Sequence, residues 1–275
     1  MRIPCELCFH HCQLEEGQDG LCRGRGNRNG TVVPLNYGRI TSLALDPIEK
    51  KPLRRFHPGS KVLSLGSFGC NLRCPFCQNA SISMAGPEAE TGELLPEDLA
   101  KQAEALRPYG NIGAAYTYNE PLIGWEYVRD CAAAVRARGM VNVLVSNGTI
   151  RERPWRDLLP LLDAMNIDLK GFTEDWYRRL GGDLETVKRS IALAVEAGRH
   201  VEVTTLVIPG ENDDPSEMRV LSAWLASLDP DLPLHVSRFF PRWHMTDQPA
   251  TPVETVYRLA DIARENLRYV YTGNC

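Results

Sequence analysis

From residue 61 onward, short apolar runs alternate with amphipathic stretches, and this alternation restricts the chain to a parallel α/β fold. The sequence predicts strands at 62–65, 112–117, 142–146, 164–168, 201–208 and 234–237, with a short final strand at 269–271. It predicts helices at 97–106, 122–138, 155–162, 184–197, 215–227 and 253–266. Strands that alternate with helices in this way pair in parallel through right-handed crossovers. Periodicity alone does not separate an open sheet from a barrel.

Several helix ends can also be read from the sequence. Thr251 is predicted to cap the last helix, with Pro252 at its first position and Glu254 as the partner of a capping box. Gly139 and Gly198 stand where the glycine that ends a helix is expected.

Residues 1–60 differ from the rest of the chain. They are rich in glycine, arginine and asparagine, and their apolar pieces, such as Thr31-Val32-Val33, are short. Such a segment buries little apolar surface, and a bound metal can supply the missing stability. The sequence therefore predicts an irregular, Cys-rich, metal-binding segment at 1–60 and an α/β region at 61–275.

Composition excludes several classes of function. The 275 residues carry a net charge of −4 and show no basic stripe, so nucleic acid is not expected as a partner. No apolar run is long enough to span a bilayer, and the N-terminus does not resemble a secretory leader. The sequence thus predicts a cytoplasmic protein with no membrane partner.

Nine cysteines are many for such a protein. In a reducing compartment, clustered thiolates indicate a metal site rather than disulfides. Seven of the nine fall into two groups, Cys5/Cys8/Cys12/Cys22 and Cys70/Cys74/Cys77. Of the remaining two, Cys275 ends the chain and Cys131 lies in an apolar helical stretch, where we expect a small core residue.

The run Cys70-Asn-Leu-Arg-Cys74-Pro-Phe-Cys77 carries the main chemical signal. Three thiolates at this spacing can bind one [4Fe-4S] cube and leave its fourth iron without a protein ligand. That open position can bind a substrate or cofactor directly. The run follows the first predicted strand, at the strand end where α/β folds place their active sites. A zinc knuckle with a distant fourth ligand is the alternative.

The run resembles the CxxxCxΦC signature of radical S-adenosylmethionine (SAM) enzymes, with Phe76 at the aromatic position. Further runs look like the radical SAM enzyme of the AmmeMemoRadiSam system, a group related to pyruvate formate-lyase activating enzymes. These runs are Asp46-Pro-Ile-Glu-Lys-Lys-Pro, Tyr116-Thr-Tyr-Asn-Glu-Pro, Ser146-Asn-Gly, Ile167-Asp-Leu-Lys and Ser237-Arg-Phe-Phe-Pro. The resemblance covers nearly the whole chain and implies a partial (β/α)6 barrel. It also implies a [4Fe-4S] cluster and SAM as cofactors, with reductive cleavage of SAM to a 5′-deoxyadenosyl radical that removes hydrogen from a substrate.

The resemblance also assigns roles at the ends of three strands. Tyr118-Asn119-Glu120 stands in place of a Gly-Gly-Glu motif that receives the SAM amino group. Asn119 and Glu120 are equally suited to cap the helix entered at Pro121. The other matches are Ser146 and Asn147 with a Thr-Asn-Gly motif, and Asp168 and Lys170 with an Asp-x-Lys motif whose lysine pairs with the SAM carboxylate. A solvated charged pair is the alternative for the last two residues.

Cys5, Cys8, Cys12 and Cys22 place four thiolates close together in the sequence. Four thiolates suit tetrahedral zinc and equally suit an auxiliary [4Fe-4S] cluster, so the identity of this second metal stays open. His10 or His11 could replace one cysteine. His235, His244 and Trp243 lie near the end of the sixth strand, where members of the resembled family contact SAM or substrate. Single residues of this kind more often belong to the core or the surface.

The resemblance thus implies a radical SAM oxidoreductase that works under anaerobic conditions on an unidentified substrate. Its cluster needs a low-potential electron donor such as flavodoxin or ferredoxin. One alternative is an activase of a glycyl-radical enzyme, which needs a protein partner. Val145 weighs against it, because activases carry there an aspartate that helps to hold a monovalent cation near SAM. The second alternative is a non-catalytic iron–sulfur or zinc scaffold, which would not need the charged residues at the strand ends.

Overall fold

A computed structural model describes residues 2–275 and contains one large sheet, three two-stranded sheets and eight α-helices within that range. The strands are β1 (Ile3–Pro4), β2 (Gln13–Leu14), β3 (Arg25–Arg28), β4 (Thr31–Pro34), β5 (Arg39–Ile40), β6 (Ser42–Pro47), β7 (Lys61–Gly66), β8 (Gly92–Glu93), β9 (Asn111–Tyr116), β10 (Val141–Ser146), β11 (Ala164–Asp168), β12 (His200–Val207), β13 (Leu234–Arg238) and β14 (Val270–Gly273). The helices are α1 (Ala80–Ser83), α2 (Pro96–Ala105), α3 (Trp125–Ala137), α4 (Glu152–Leu158), α5 (Glu174–Arg179), α6 (Leu184–Glu196), α7 (Pro215–Leu228) and α8 (Val253–Arg264).

The large sheet has the strand order β14-β13-β12-β11-β10-β9-β7-β6. Seven of its strands are parallel: β7 and β9 to β14. Each of them pairs with the next member of this set along the chain. Helices follow the strands, as expected for repeated strand–helix units. The predicted α/β class and the partial barrel are thus confirmed, and β6 and β14 form the two edges of the sheet.

The predicted elements match the observed ones with small shifts at their ends. The helix predicted from 122 begins at Trp125, because residues Pro121–Gly124 form a separate 3-10 turn. Gly139 and Gly198 follow α3 and α6 in the left-handed conformation, with φ of 64° and 67°, which confirms both as helix-ending glycines.

The prediction for Thr251 is wrong. Its hydroxyl donates to the carbonyl of Val207 at 2.6 Å, so it bonds to the end of β12 rather than to an amide of α8. The N-cap position of α8 belongs instead to Pro252, which makes no side-chain cap.

The N-terminal region is less irregular than the sequence predicts. It contains six short strands, and β6 pairs antiparallel with β7 and so extends the large sheet. The segment after β6 turns inward, where Ile48 and Leu53 are fully buried against residues of four strands of the barrel. Short strands escape a periodicity reading because two to four residues show no period. No helix within residues 2–275 is long and apolar enough to cross a membrane.

Candidate functional site

The predicted site residues meet at the carboxyl ends of four neighbouring strands. The loop after β7 carries the three cysteines, and the ends of β9, β10 and β11 carry the other groups. Together they border a cavity of about 670 Å³. The members of the predicted site that line it are Cys70, Cys74, Phe76, Cys77, Tyr118, Asn119, Glu120, Ser146, Asn147, Asp168 and Lys170. A parallel sheet collects residues distant in sequence at one edge in this way.

The three cysteines of the β7 loop are free thiols. Burial raises the pKa of Cys74 to about 11 and that of Cys70 well above its usual value. The Sγ atom of Cys70 accepts the amide N–H of Leu72 at 3.4 Å and the Nδ2–H of Asn147 at 3.7 Å. Donors of this kind stabilise a thiolate more than a thiol. The loop therefore presents thiols that are costly to ionise alone, together with donors suited to the ionised form.

Phe76 lies beneath the loop and not in solvent. It is buried and stacks on Trp176, with ring centroids 6.0 Å apart. Leu72, Leu180 and Phe239 belong to the same apolar cluster. The aromatic position of the motif thus anchors the cysteine loop to the barrel.

Gly69 sets the start of the loop. Its φ is +87°, and a Cβ atom there would lie 2.5 Å from the carbonyl oxygen of Cys22. Only glycine meets both requirements without strain. The N-terminal segment therefore touches the residue directly before Cys70.

Tyr118 adopts an unusual backbone conformation for a bulky residue, with φ of 73°. Its hydroxyl donates to Asp46 Oδ2 at 2.6 Å, and its carbonyl accepts the Nδ2–H of Asn79 at 2.8 Å. Gly66 leaves room for its ring, since a Cβ there would lie 2.9 Å from Tyr118. Such strain persists only where surrounding contacts hold it, which is common at functional sites.

Asn119 joins the end of β9 to the cysteine loop. Its Oδ1 accepts the N–H of Ser67 at 2.9 Å, and its Nδ2 donates to the carbonyls of Phe68 and Gly69 at 3.1 and 3.0 Å. The side chain is thus occupied within the protein.

Glu120 is a buried carboxylate at the centre of the site. It accepts hydrogen bonds from the Leu122 amide, the Ser146 hydroxyl and the Asn147 amide at 3.0, 2.8 and 2.8 Å. Burial raises its pKa to about 7, although the hydrogen bonds act in the opposite direction. The bond to Leu122 also caps the turn Pro121–Gly124, so the capping interpretation of Glu120 is confirmed.

Asp168 and Lys170 form an ion pair, with 3.1 Å between Oδ2 and Nζ. The Lys170 side chain is 16% exposed. Burial lowers the pKa of Lys170, but Asp168 and Cys74 raise it by a larger amount. The net pKa is above the usual value, so the amine stays protonated. Its carbonyl accepts the indole N–H of Trp176 at 2.7 Å. The ammonium is therefore fixed beside the cysteine loop.

Two further polar groups face the same cavity: Lys51, which sequence reasoning missed, and His235, which it named as a candidate at the end of the sixth strand. Lys51 is 2% exposed and donates to Asp46 at 2.6 Å. His235 lines the cavity and bonds the buried carboxylate of Glu202 at 2.6 Å. The run from Asp46 to Pro52 carries a signal for the first pair. Glu202 lies in the interior of a strand. Its one signal in the sequence is that a charged residue there interrupts a largely apolar run.

The remaining candidates lie elsewhere. Trp243 and His244 are on the exposed loop after β13, and the His244 amide donates to the Pro75 carbonyl at 2.9 Å. Cys131 is fully buried in α3, as expected for a core residue, and Cys275 is exposed.

The four N-terminal cysteines are also free thiols, three of them buried. The Sγ atoms of Cys12 and Cys22 both lie within 4 Å of the Cβ position of Gly20, at 3.8 and 3.9 Å. Burial raises the pKa of Cys8 to about 12, and the other three thiols add to this. As placed, no three His, Cys, Asp or Glu side chains in residues 2–275 form a complete ligand set for one metal ion.

His10 does not point its Nε2 at these thiols. That atom is 2.8 Å from the carbonyl oxygen of Asn71, the residue after Cys70. Asn71 is buried, accepts a hydrogen bond from Asn147 and donates one to the Thr149 carbonyl, at 2.9 and 2.8 Å. The N-terminal segment thus contacts the cysteine loop on both sides of Cys70.

Comparison with known proteins identifies the family of this chain. Residues 65–220 match the Radical SAM superfamily. The chain belongs to this superfamily. It is 41% identical to an uncharacterized protein of Methanocaldococcus jannaschii over 99% of this chain and 81% of that protein.

Two further similarities connect the chain to characterised proteins. Pyruvate formate-lyase 1-activating enzyme of Escherichia coli is 28% identical over 57% of this chain, which spans 65% of that enzyme's length. The crystal structure of SuiB from Streptococcus suis bound to S-adenosylmethionine superposes with a TM-score of 0.61 at 13% identity. That match covers 78% of this chain and 52% of SuiB, and it shows the shared fold.

Proposed function

We propose that this radical SAM enzyme binds a [4Fe-4S] cluster through Cys70, Cys74 and Cys77 and uses it to cleave SAM reductively. The observation that carries the proposal is the position of three free thiols on one cavity wall that also holds Glu120 and Lys170. Glu120 suits the amino group of a bound amino acid, and Lys170 suits its carboxylate. When bound, the cluster supplies one electron to SAM, and the resulting 5′-deoxyadenosyl radical removes a hydrogen atom from the substrate.

The donors around Cys70 fit a cluster ligand. An N–H from Leu72 and one from Asn147 reach its sulfur, and hydrogen bonds to sulfur tune the potential of such clusters. All three cysteines line the cavity, so a cluster held by them would border the space that SAM needs.

The protein's own groups orient SAM. Glu120 accepts the ammonium with help from the carbonyl of Tyr118, whose backbone is held by Asp46 and Asn79. Lys170 donates to the carboxylate, for which it must share its bond to Asp168. Ser146 and Asn147 act through Glu120, since both hold its carboxylate in place.

A second candidate is activation of a glycyl-radical enzyme. The similarity to pyruvate formate-lyase 1-activating enzyme favours it. Val145 disfavours it, because this residue lines the cavity where an aspartate would be needed for the cation. Formation of a glycyl radical on a purified partner protein would establish this activity, and the radical has a distinct paramagnetic spectrum.

We further propose that Cys5, Cys8, Cys12 and Cys22 bind a second metal, either zinc or a [4Fe-4S] cluster. The four thiols lie in a segment whose neighbouring strands, β1 to β4, have only two to four residues. Segments with so little core depend on cross-links for their stability. The electron donor is a low-potential protein such as flavodoxin or ferredoxin.

The central experiment is anaerobic SAM cleavage with dithionite. The wild-type protein, purified without oxygen, should hold about four irons in this cluster and release 5′-deoxyadenosine. Cys74→Ala should lose both the cluster signal and the product. If the variant still cleaves SAM at the wild-type rate, the assignment of the β7 loop is wrong.

Lys170→Ala tests the SAM carboxylate contact. Removal of a charge-assisted hydrogen bond should weaken SAM affinity by roughly 1.5–3 kcal/mol while the iron content stays unchanged. Equilibrium binding to the unreduced, cluster-loaded protein measures this. Arg178→Ala, an exposed cation on α5, is the control. Equal affinity of wild type and Lys170→Ala would remove the lysine from the site.

A further inference from the structure

The cavity extends beyond the residues proposed for the cluster and SAM. Its second wall is built from the segment after β6 and from strands β12 to β14, which approach each other across the open edge of the barrel. The wall residues are Glu49, Lys50, Lys51, Pro52, Arg54, Thr204, Leu206, His235, Ser237, Thr272, Gly273 and Asn274. We call this set the distal wall. Ten of these twelve residues have polar side chains or are glycine, which is unusual for a barrel interior that serves only packing.

Glu202 organises the distal wall. Its side chain is fully buried, and each carboxylate oxygen accepts two hydrogen bonds. Oε2 accepts from His235 at 2.6 Å and the Arg54 amide at 3.0 Å, and Oε1 accepts from the Arg55 amide at 2.8 Å and His200 at 3.0 Å. Burial raises the pKa of Glu202, but these four donors lower it to about 2. The group therefore stays ionised and fixes both the loop and the histidine.

His235 presents one free nitrogen. Its Nε2 is committed to Glu202, and its Nδ1 has no hydrogen-bond partner within residues 2–275. The residue is 4% exposed, lines the cavity and stacks on Tyr271 at 5.3 Å between centroids. Because Nε2 is turned to the carboxylate, Nδ1 is the ring nitrogen that remains to contact a ligand hydroxyl or N–H group.

Arg54 supplies the cation next to this acceptor. Its amide and His235 bind the same oxygen of Glu202, so the two residues are neighbours. Arg54 lines the cavity, is exposed, and makes no ion pair among the described residues. The other two cations of the wall, Lys50 and Lys51, both pair with Asp46, at 3.8 and 2.6 Å. Arg55, the next residue, stacks on Tyr269 at 3.5 Å. Arg54 is therefore the cation of this wall that is free to bind a ligand.

We propose that the distal wall binds the substrate, and that this substrate is a small oxyanion, a carboxylate or a phosphate ester, that also carries a hydroxyl or amino group. Arg54 binds the oxyanion, since a guanidinium matches such groups with two parallel hydrogen bonds. His235 accepts the hydroxyl or amino proton, and Glu202 positions His235. The cavity has the size of small-molecule sites. The inference rests on the proposed SAM chemistry, because it places this substrate beside the SAM residues.

The test is ligand binding without turnover, on the oxygen-free, cluster-loaded protein with SAM present. The probes are lactate, propionate without the hydroxyl, and 1,2-propanediol without the charge; glycerol 3-phosphate and glycerol form the phosphate pair. Saturation-transfer NMR measures each dissociation constant. Lactate or glycerol 3-phosphate should bind, and which of them binds tells carboxylate from phosphate. The neutral probes should bind at least about tenfold more weakly.

Variants separate the two contacts. Arg54→Gln should weaken oxyanion binding about tenfold, whereas Arg55→Gln should not, because Arg55 stacks on Tyr269 and does not line the cavity. His235→Gln keeps a donor for Glu202 but places no acceptor at the position of Nδ1. It should therefore remove the advantage of lactate over propionate.

Two results would overturn the inference: no oxyanion binds better than its neutral counterpart, or Arg54→Gln and Arg55→Gln behave alike. Cleavage of SAM by the same wild-type preparation is measured separately. Retained cleavage without oxyanion binding refutes the distal wall alone, and oxyanion binding without cleavage refutes the proposed function.

Discussion

The two cysteine groups of this chain offer the same type of metal ligand, but the secondary structure around them differs. Cys70, Cys74 and Cys77 follow a six-residue strand of an eight-stranded sheet, and their loop is held by Phe76, Asn71 and Asn119. Cys5, Cys8, Cys12 and Cys22 lie among strands of two to four residues. In the first group the surrounding fold holds the thiols in place. In the second, the proposed metal would have to hold the segment in place through the thiols. If each group binds the metal proposed for it, this contrast predicts that the first metal serves chemistry and the second serves folding.

The contacts between the groups add a second difference. The N-terminal segment reaches the cysteine loop through the Cys22 carbonyl at Gly69 and through His10 at Asn71. It is also fixed to α3, where Arg25 binds Glu126 with two bonds of 2.7 Å. The segment thus supports the loop, and its own Leu7, Leu14 and Ile40 pack in the main core.

The variant Cys8→Ser tests this difference between the two groups with the largest expected effect. If the N-terminal metal holds the segment, its loss should destabilise the protein by at least about 4 kcal/mol, the range typical of a lost metal site. Chemical denaturation under anaerobic conditions measures this, and metal analysis shows which metal is lost. Cys275→Ser, on an exposed thiol, is the matched control and should change nothing. A Cys8→Ser protein of wild-type stability that has lost only turnover would assign catalysis, and not folding, to the second metal.

The pH dependence of SAM affinity tests the functional side of the comparison. Without ligand, Glu120 has a pKa of about 7, so it is protonated at lower pH. An ammonium requires the carboxylate, so binding must then release a proton. Affinity should fall about tenfold for each pH unit below 7, or 1.4 kcal/mol, and level off above it. This is measured as the SAM dissociation constant of the unreduced holoprotein at pH values between about 5.5 and 8. Glu120→Gln should bind SAM weakly at every pH, and a flat wild-type profile would exclude Glu120 as the partner.

The fold was largely predictable because the strands and helices from residue 61 onward are long enough to show a period. The cysteine loop was predictable because its ligands are close in sequence. The distal wall was not, since Glu202 and His235 come from different strands and gain meaning only when Arg54 meets them. The capping prediction for Thr251 failed for a related reason. The local rule assigns its hydroxyl to the helix, but in the fold this hydroxyl donates to the Val207 carbonyl of a distant strand.

The smallest effect concerns the link between the two groups. His10 and Asn71 share one partly buried hydrogen bond of 2.8 Å, and its loss should cost about 1 kcal/mol. In His10→Ala the Asn71 carbonyl loses its partner next to Cys70. We therefore expect a changed paramagnetic spectrum of the reduced cluster and faster iron loss to a chelator, while the metal at the N-terminal cysteines is retained. His10→Gln can still donate to the carbonyl and should restore part of both properties. If His10→Ala instead releases the N-terminal metal and leaves the cluster spectrum unchanged, His10 is a ligand of that metal and the two groups are not coupled through Asn71.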